Sequence, residues 1–386
     1  MSQRIRIVHL ITGMETGGAE RMLHKLLSQR DSRRFEHSVV VMTGGGPMAD
    51  SFHALGLPLY FLAIPRGQAD PRGLWRLWRL LRQLQPDILQ TWLYHADLLG
   101  TIAARLLSVP RLIWSLRCSY MDLSYSRSLR LILWLLARLS RWPDLILVNS
   151  KAGQTLHQQL GYRPRAWRLI PNGFDVQQYQ PDDTARWRIR TELGIAPDAP
   201  VIGMVARFDP MKGFDLCLTA VALVQAVWPN CHLVLVGPGV TADNPFFAEA
   251  LHRNSLGHRL HLLGRRQDIA ALHAAFDIAL SASIGEGFAN VIGEAMSCGV
   301  PCVVTDVGDS AWVVGQQGLV VPAADAKAMA QACLQLLSMD ARQRQQLGLA
   351  ARQRIVDHFS LTSIVKQYQE LYEELYQGLC HPCTSC

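Results

Sequence analysis

Two basic residues stand five positions apart in a loop that follows an apolar segment. Arg207 and Lys212 lie in the stretch Val-Ala-Arg-Phe-Asp-Pro-Met-Lys-Gly, directly after a predicted strand at 201–205. Two cations on a strand-to-helix turn can converge on one anion, and the N-terminus of the next helix adds positive potential. This pattern indicates a diphosphate site. The alternative is a pair of solvated basic residues in a surface loop.

A second candidate segment begins and ends with a carboxylate. It reads Glu286-Gly-Phe-Ala-Asn-Val-Ile-Gly-Glu294 and opens a helix after a predicted strand at 278–281. Its glycines and the small Ala289 let backbone N–H groups approach a ligand closely. Ionised carboxylates are strong acceptors for sugar and ribose hydroxyls. The alternative is an ordinary helix N-terminus with favourable acidic residues.

A third candidate is the Gly17–Gly18 pair in Thr12-Gly-Met-Glu-Thr-Gly-Gly-Ala-Glu20, which follows a predicted strand at 5–10. The pair resembles a phosphate or sugar loop. It does not match the G-x-G-x-x-G dinucleotide pattern, and no acidic residue is placed as that pattern requires, so a simple dehydrogenase is disfavoured. A glycine turn without ligand contact remains the alternative.

Three further polar residues follow strands in the first half of the chain. His95 comes after a predicted strand at 88–92, so its imidazole is expected at the edge of the sheet where a ligand could bind. A purely structural histidine is the alternative. Arg117 and Asp122 follow the next strand and could reach the same edge of the sheet.

Short aliphatic runs alternate with longer helical patterns, which is typical of βα units around parallel sheets. One series of predicted strands lies at 5–10, 38–42, 58–62, 88–92, 111–115, 145–148 and 167–170; the second lies at 201–205, 232–236, 260–263, 278–281, 301–305 and 319–321. Segment 175–199, which contains Pro181 and Pro197 and is followed by Pro200, is predicted as a linker with its first helix. The predicted domains are therefore 1–180 and 181–386.

Composition agrees with a globular chain of two domains. The 386 residues exceed one ordinary domain, and 49% are hydrophobic while 18% are charged. The nine cysteines are mostly single and scattered, and no secretion-signal pattern is found ahead of them in the sequence. We therefore expect a reduced, cytoplasmic setting. The most apolar run, 129–139, is short and contains two arginines, so we expect no transmembrane helix.

In combination, these segments resemble glycosyltransferase family 4, a group of retaining enzymes with the GT-B fold. The resemblance rests on the Gly17–Gly18 loop, Arg207, Lys212, Gly237-Pro-Gly239 and the Glu286/Glu294 pair, and is supported by Asn149-Ser150-Lys151, Pro171-Asn-Gly-Phe-Asp175 and Phe359-Ser360. It implies two Rossmann-like domains facing each other across a cleft. The first would bind the acceptor and the second the nucleotide-sugar donor, with a helix at 360–377 crossing back to the first.

The resemblance also implies a role for each residue. Arg207 and Lys212 would neutralise the leaving diphosphate, Glu294 would accept from the ribose, and Glu286 would accept from the donor sugar. His95 completes the predicted catalytic set, because similarly placed histidines in related enzymes bond a donor hydroxyl or the acceptor. Arg117 and Asp122 are predicted to contact the acceptor. The predicted donor-binding residues are Gly17, Gly18, Gly237, Arg265, Arg266, Phe288, Ala289, Asn290, Val291 and Glu294. Arg265, Arg266 and Asp268 occupy the segment that in such enzymes borders the nucleotide base. Ala289 departs from the family, which often has glycine there, so the pocket could be tighter over the sugar.

Breaking the anomeric bond builds negative charge on the diphosphate, which fixed cations and a helix N-terminus stabilise. No Asp-x-Asp metal signature stands in a suitable place, so we expect neither a metal nor another cofactor. The predicted function is retaining transfer of a hexose from a nucleotide-diphosphate sugar, with UDP favoured, to a lipid-linked or saccharide acceptor. The alternatives are a nucleotide-sugar epimerase or hydrolase of the same fold and a non-catalytic nucleotide-sugar-binding partner.

A net charge of +7 favours an anionic partner. Helical stripes of arginine occur at Arg72, Arg76, Arg79 and Arg82, with Trp75 and Trp78 elsewhere on that helix, and at Arg127, Arg130, Arg138 and Arg141. They suit the inner face of a cytoplasmic membrane, and a solvated arginine face is the alternative. Nucleic acid is disfavoured because no recognition module is present. The end, Cys380-His-Pro-Cys-Thr-Ser-Cys386, is predicted to be a tail rather than a metal site.

Overall fold

The computed structural model describes residues 4–65, 70–118, 127–253 and 256–380. The chain forms two compact units. One contains the chain up to Gly173 together with the segment from Leu361 onward, and the other runs from Phe174 to Ser360. Each unit has one parallel β-sheet with helices between successive strands. The prediction of an α/β chain with two Rossmann-like domains is confirmed.

The first unit contains a seven-stranded parallel sheet in the order β3-β2-β1-β4-β5-β6-β7. Its strands are β1 (Ile5–Ile11), β2 (Phe35–Val41), β3 (Leu59–Phe61), β4 (Ile88–Trp92), β5 (Arg111–Leu116), β6 (Leu145–Val148) and β7 (Trp167–Leu169). The helices between them are α1 (Gly18–Ser28), α2 (Ala49–His53), α3 (Pro71–Leu84), α4 (Tyr94–Leu107), α5 (Arg127–Leu139) and α6 (Lys151–Gln159). Strand order reverses between β1 and β4, and such a switch point opens a crevice at the carboxyl ends of the strands.

The second unit repeats this order with six strands, β10-β9-β8-β11-β12-β13. They are β8 (Val201–Val205), β9 (His232–Val236), β10 (Leu260–Leu262), β11 (Ile278–Ser281), β12 (Cys302–Thr305) and β13 (Gly318–Val321). Its helices are α7 (Asp183–Glu192), α8 (Phe214–Val227), α9 (Pro245–Arg253), α10 (Ile269–Ala275), α11 (Asn290–Ser297), α12 (Ser310–Val314), α13 (Ala326–Ser338) and α14 (Ala341–Phe359). Here the switch point lies between β8 and β11.

The chain passes from one unit to the other between Gly173 and Phe174, earlier than the predicted boundary near residue 180. Segment 175–199 also differs from its predicted role as a linker, because Tyr179 and Ile189 are buried in the core of the second unit together with Phe174. The backbone N–H of Phe174 donates to the carbonyl of Phe359 at 2.9 Å. The segment therefore belongs to the second unit, and its two prolines, Pro181 and Pro197, are exposed on the surface of that unit.

The last helix, α15 (Leu361–Cys380), belongs to the first unit, as predicted for a helix that crosses back. Its apolar face enters the core around β1, β4 and β5. The hydroxyl of Tyr372 donates to the side-chain oxygen of Gln90 at 2.5 Å, and the guanidinium of Arg111 donates to the carbonyl of Leu375 at 3.0 Å. Apolar burial and polar contacts together fix the helix on the sheet.

Within the described part of the chain, one helical stretch, Pro210–Val227, is long and apolar enough by length and composition to cross a membrane, in contrast to the expectation from the sequence. It is the 3-10 turn Pro210–Lys212 followed by α8. Phe214, Cys217, Leu218 and Val221 on its inner face are buried in the core of the second unit. This packing accounts for the apolar composition as that of a core helix.

Candidate active site

The loop after β8 holds the first two predicted cations. The carboxylate of Asp209 accepts from the backbone N–H of Met211 at 2.9 Å and so begins the 3-10 turn that ends at Lys212. The Arg207 guanidinium also donates to Asp209, at 2.9 and 3.1 Å. The backbone hydrogen bond and Arg207 lower the pKa of Asp209. The Arg207 side chain is 70% exposed, so it can reach a ligand in solvent.

Two glycines let neighbouring loops approach closely at this edge of the sheet. Gly213 has φ 65°, and a Cβ there would overlap the carbonyl of Ala282 after β11. Gly237 has φ 153°, and a Cβ there would overlap the carbonyl of Ala206 after β8. The structure therefore places the predicted donor-site residue Gly237 against the backbone of the Arg207 loop.

Lys212 and Glu286 form an ion pair across the switch point between β8 and β11. Both side chains are mostly buried, with exposed fractions of 23% for Lys212 and 12% for Glu286. Ser283 Oγ donates to the same Glu286 oxygen at 2.8 Å. The structure thus brings together a predicted phosphate ligand and a predicted sugar ligand. Ser283 is a residue of this cluster that the sequence analysis missed.

The loop that carries Glu286 is supported from β12. Thr305 Oγ1 donates to the carbonyl of Ser283 at 2.5 Å, and the backbone N–H of Asp309 donates to the carbonyl of Gly287 at 3.0 Å. Gly308 has φ 57°, and a Cβ there would overlap the carbonyl of Glu286. These contacts fix the loop backbone without using the Glu286 carboxylate.

Phe288 anchors the same loop in the core. Its ring is buried among Phe174, Trp312 and Phe359, with centroid distances of 6.0–6.1 Å. Gly293, one turn into α11, faces the ring of Phe174, which a Cβ would overlap. The Phe288 side chain therefore sets the position of the loop, and ligand contact is left to its backbone.

The N-terminus of α11 is suited to an anion. Ala289 is the N-cap residue, and its methyl group cannot cap the backbone N–H groups of the first turn. Asn290 and Val291 in that turn are partly exposed, as is Glu294 one turn later. A helix N-terminus binds phosphate oxygens through such backbone groups and through its positive dipole end. The predicted donor residues 288–291 and Glu294 therefore share one edge of the second sheet.

Arg265 and Arg266 follow β10 and differ in their surroundings. The Arg266 guanidinium makes two hydrogen bonds of 2.8 Å to Asp268 and one of 2.6 Å to Glu192 on α7. These bonds raise the pKa of Arg266 and lower those of Asp268 and Glu192. Arg265 is exposed. Arg266 thus braces the loop against α7, and of the two guanidinium groups Arg265 is the more accessible to a ligand.

In the first unit, Gly17 is the N-cap residue of α1 and Gly18 is the first residue of that helix. Neither lies in the positive-φ region. A Cβ on Gly17 would overlap the carboxylate of Glu20, whereas a Cβ on Gly18 would point into open space. Glu20 is buried, and this burial raises its pKa. A side chain at position 17 would therefore require the carboxylate of Glu20 to move.

His95 is exposed in the first turn of α4, and partial desolvation lowers its pKa. The turn that precedes it is strained, because Leu93 has φ 75°. Thr91 Oγ1 donates to the fully buried Asp97 at 2.5 Å. The Tyr94 hydroxyl lies 2.9 Å from Nε2 of the buried His157. These contacts hold the turn that presents His95, and none of these partners had been flagged in the sequence.

Arg117, a predicted acceptor residue, is engaged within the first unit. It donates to the side-chain oxygen of Asn172 at 2.6 Å and to the hydroxyl of Tyr368 on α15, and it lies 4.7 Å from the ring centroid of Trp92. Its acceptor role stays a prediction. Asp122 and residues 381–386 lie outside the described residues. Among those that are described, no three His, Cys, Asp or Glu side chains cluster in a way that could hold a metal ion.

Two family models match the chain. Glycosyltransferase Family 4 matches residues 16–178, and Glycosyl transferases group 1 matches residues 199–339. Between them they include the loops of Gly17, His95, Lys212 and Glu286. The chain belongs to glycosyltransferase family 4.

Relatives of this family 4 glycosyltransferase resemble it over nearly the whole chain. It is 24% identical over 382 residues to the UDP-Gal:alpha-D-GlcNAc-diphosphoundecaprenol alpha-1,3-galactosyltransferase of Escherichia coli, covering 96% of this chain and 97% of that protein. It is 26% identical over 382 residues to the lipopolysaccharide core biosynthesis glycosyltransferase LpsE of Rhizobium meliloti, covering 95% and 98%. The crystal structure of Anabaena HepE in complex with UDP superimposes with a TM-score of 0.85 at 24% identity, covering 96% and 100%. The fold is GT-B, as predicted.

Proposed function

We propose that this glycosyltransferase takes a hexose from a UDP-sugar and transfers it, with retention of anomeric configuration, to a lipid-linked or saccharide acceptor. The observation that carries the proposal is the Lys212–Glu286 pair, which lies at the switch point on the same edge of the sheet as the N-terminus of α11. This arrangement offers a cation, a helix N-terminus and a carboxylate within one edge of a parallel sheet. A nucleotide-diphosphate sugar has the matching groups: its phosphate oxygens suit the cation and the helix N-terminus, and its sugar hydroxyls suit the carboxylate.

In the proposed donor complex, Lys212 and Glu286 exchange partners. A phosphate oxygen replaces Glu286 as the partner of the Lys212 ammonium, and the freed carboxylate accepts from a hydroxyl of the donor sugar. Ser283 continues to donate to Glu286 and keeps it in position. Neither partly buried charge is then left unpaired, which would be costly at this degree of burial.

Arg207 adds a second cation at low cost. The Arg207 side chain is 70% exposed while Asp209 is 23% exposed, and an ion pair with a solvated partner contributes little to stability, so a phosphate can compete for the guanidinium. As the anomeric bond breaks, charge grows on the leaving diphosphate, and Lys212, Arg207 and the α11 N-terminus stabilise it. In this proposal the cations of the chain carry that charge without a metal ion. A rate unchanged by EDTA supports this part, and a rate restored only by added Mg²⁺ or Mn²⁺ contradicts it.

The choice of donor and acceptor rests on the relatives. HepE was solved in complexes with UDP and with UDP-glucose, which supports a uridine donor. The Escherichia coli relative is named for an acceptor on diphosphoundecaprenol, which supports a lipid-linked acceptor. In the same proposal, His95, Gly17 and Gly18 contact the donor or acceptor from the first unit. Anomeric retention is tested by NMR of the product.

The test is a nucleotide-release assay with UDP-, GDP- and ADP-sugars, each with and without a polyprenyl-diphosphate monosaccharide. We expect release from a UDP-sugar that requires the acceptor and is lost in Lys212→Ala. The matched control is Lys327→Ala, an exposed lysine on α13 of the same unit, which should release nucleotide like the wild type. Acceptor-independent turnover would instead favour an epimerase or hydrolase. Donor binding without release under every condition would favour a non-catalytic partner.

A further inference from the structure

The exposed apolar surface of the first unit is concentrated on three helices. Among its described residues, seven large hydrophobic side chains are exposed, and all except Phe61 lie on α3, α4, α5 or the turn after α5. The six are Trp75, Ile102, Leu106, Leu131, Trp134 and Trp142. Leu106 is 63% exposed, Trp75 56% and Trp134 50%. Single exposed apolar residues need no explanation, but several on adjoining helices mark an interaction site.

These six side chains occupy one side of the sheet. Helix α4 packs against both α3 and α5, so the three helices are neighbours. We call this surface the tryptophan face and define it by the six residues above. On α3, Trp75 shares the exposed side with Arg72 and Arg79, unlike the separation of tryptophan and arginine predicted from the sequence. Arg76 is instead paired with the N-cap residue Asp70 at 2.8 Å.

Arginines lie over the tryptophan rings of this surface. The guanidinium carbon of Arg138 lies 3.7 Å from the ring centroid of Trp134, that of Arg105 lies 4.6 Å from Trp142, and that of Arg79 lies 5.7 Å from Trp75. Such stacking keeps the cations at the level of the apolar groups. The three helices contain one acidic residue, Asp97, and it is buried. The face is therefore both apolar and uniformly positive.

We propose that the tryptophan face binds the surface of an anionic lipid bilayer. Exposed tryptophans flanked by arginines are suited to the headgroup region, where the rings enter the interface and the guanidinium groups meet lipid phosphates. Because these three helices expose no carboxylate, nothing on them repels the negatively charged phosphates of such a bilayer. This inference stands independently of the donor chemistry, because it rests on residues outside the proposed catalytic cluster.

Vesicle co-sedimentation of the full chain tests the apolar part. The probes are vesicles of phosphatidylcholine alone and of phosphatidylcholine with phosphatidylglycerol. We expect binding to the anionic vesicles, and its loss in the combined variant Trp75→Ser, Leu106→Ser and Trp134→Ser. The matched control is Trp187→Ser, because Trp187 is 66% exposed and lies between two arginines on α7 of the second unit. Its binding should equal that of the wild type.

The electrostatic part is tested with Arg79→Gln and Arg138→Gln. Each substitution should weaken binding to anionic vesicles about fivefold, the effect expected for one arginine near such a surface. The control is Arg342→Gln, an exposed arginine on α14. Equal binding to both vesicle types, or equal binding by all variants, overturns the proposal. Displacement of the protein from vesicles by a short oligonucleotide, with loss of oligonucleotide binding in Arg138→Gln, also overturns it.

Nucleotide release with a water-soluble acceptor separates this inference from the proposed function. We expect the combined variant to release nucleotide at the wild-type rate with that acceptor while failing to bind vesicles. A loss of release in solution by a folded variant would assign these side chains to the reaction rather than to a membrane surface. Conversely, if Lys212→Ala still bound vesicles, the proposal that the tryptophan face binds a membrane would stand even if the chain transferred no sugar.

Discussion

Lys212 and Glu286 pair with each other between the loops that follow β8 and β11, and Ser283 donates to the same carboxylate oxygen. The pair joins two residues that are 74 positions apart in the sequence. Because both side chains are mostly buried, the removal of either charge leaves the other without its partner. The proposed exchange of partners predicts different effects for substitution of Lys212 and for substitution of Glu286.

Glu286→Gln should separate nucleotide binding from turnover. Release of Lys212 from its carboxylate partner should tighten the binding of free UDP about fivefold, the equivalent of one charge-assisted contact. Turnover should fall about a hundredfold, because the amide is a weaker acceptor for the sugar hydroxyl. Calorimetry measures the first effect and nucleotide release the second. Glu370→Gln, which removes a carboxylate paired with Lys366 on α15, should change neither.

Ser283→Ala should lower turnover without unfolding the second unit. The hydroxyl donates to a carboxylate, and such bonds contribute about 1.5–3 kcal/mol, so about a tenfold loss of kcat is expected if the bond positions Glu286. Ser338→Ala is the control, since its hydroxyl donates to the carbonyl of Gln335 on the surface of α13. Wild-type kcat in Ser283→Ala would show that Glu286 needs no such support.

The strands were predictable because buried parallel strands read as apolar runs. Each of the thirteen predicted runs coincides with a strand. The largest difference is in β2, which begins at Phe35 rather than at residue 38, because Glu36 and His37 interrupt the apolar pattern. His37 is buried and lies 2.9 Å from the buried His9. Sequence periodicity assigns such histidines to the surface and so misses them.

The partners of the site residues were not predictable, because they are distant in the sequence. Arg266 had been predicted at the nucleotide base, yet it is bound to Glu192, and Arg117 is bound to Tyr368. Neither partner belongs to a local motif. Lys212 and Glu286 could be predicted as neighbours, because their strands follow the Rossmann order. Their pairing with each other could not.

Gly293→Ala should destabilise the second unit. A Cβ at this position would overlap the ring of Phe174, and overpacking of this kind costs about 1–3 kcal/mol. Because Phe174 packs on Phe288, the loop of Glu286 should shift and turnover should also fall. Gly44→Ala is the control, since a Cβ there meets nothing within 4 Å. Chemical denaturation measures the free energy of unfolding, and an unchanged value for Gly293→Ala would contradict the packing described.

Acid should destabilise the second unit through His273. Burial lowers its pKa to about 3, and its ring nitrogens have no hydrogen-bond partner among the described residues. The unfolded chain, with an ordinary histidine pKa of about 6.5, binds the proton first. Stability should therefore fall by about 1.4 kcal/mol per pH unit as the pH decreases from about 6.5 toward 3.

His273→Leu should remove this part of the pH dependence. The measurement is the free energy of unfolding between pH 7 and pH 4, because an interval of about 3 pH units is wide enough to show the uptake of one proton. His358→Leu, an exposed histidine on α14, should leave the slope unchanged. An identical slope for His273→Leu and the wild type would mean that His273 is not buried in its neutral form.

Tyr368→Phe should loosen α15 from the first unit. The substitution removes a hydrogen-bond partner of Arg117, and an unsatisfied buried donor costs about 1–3 kcal/mol. Tyr376→Phe, a partly exposed tyrosine on the same helix, should have no comparable effect. Denaturation measures the loss. If Tyr368→Phe raised the acceptor KM at unchanged stability, Arg117 would have the acceptor role predicted from the sequence rather than a structural one.

Mass spectrometry of the acceptor tests the central claim most directly. The protein is incubated with a UDP-hexose and a polyprenyl-diphosphate monosaccharide, and the acceptor and the released UDP are quantified together. The proposed function predicts one hexose added for each UDP released, with both products absent in Lys212→Ala and present in Lys327→Ala. UDP release without any glycosylated acceptor, or transfer that survives in Lys212→Ala, would contradict it.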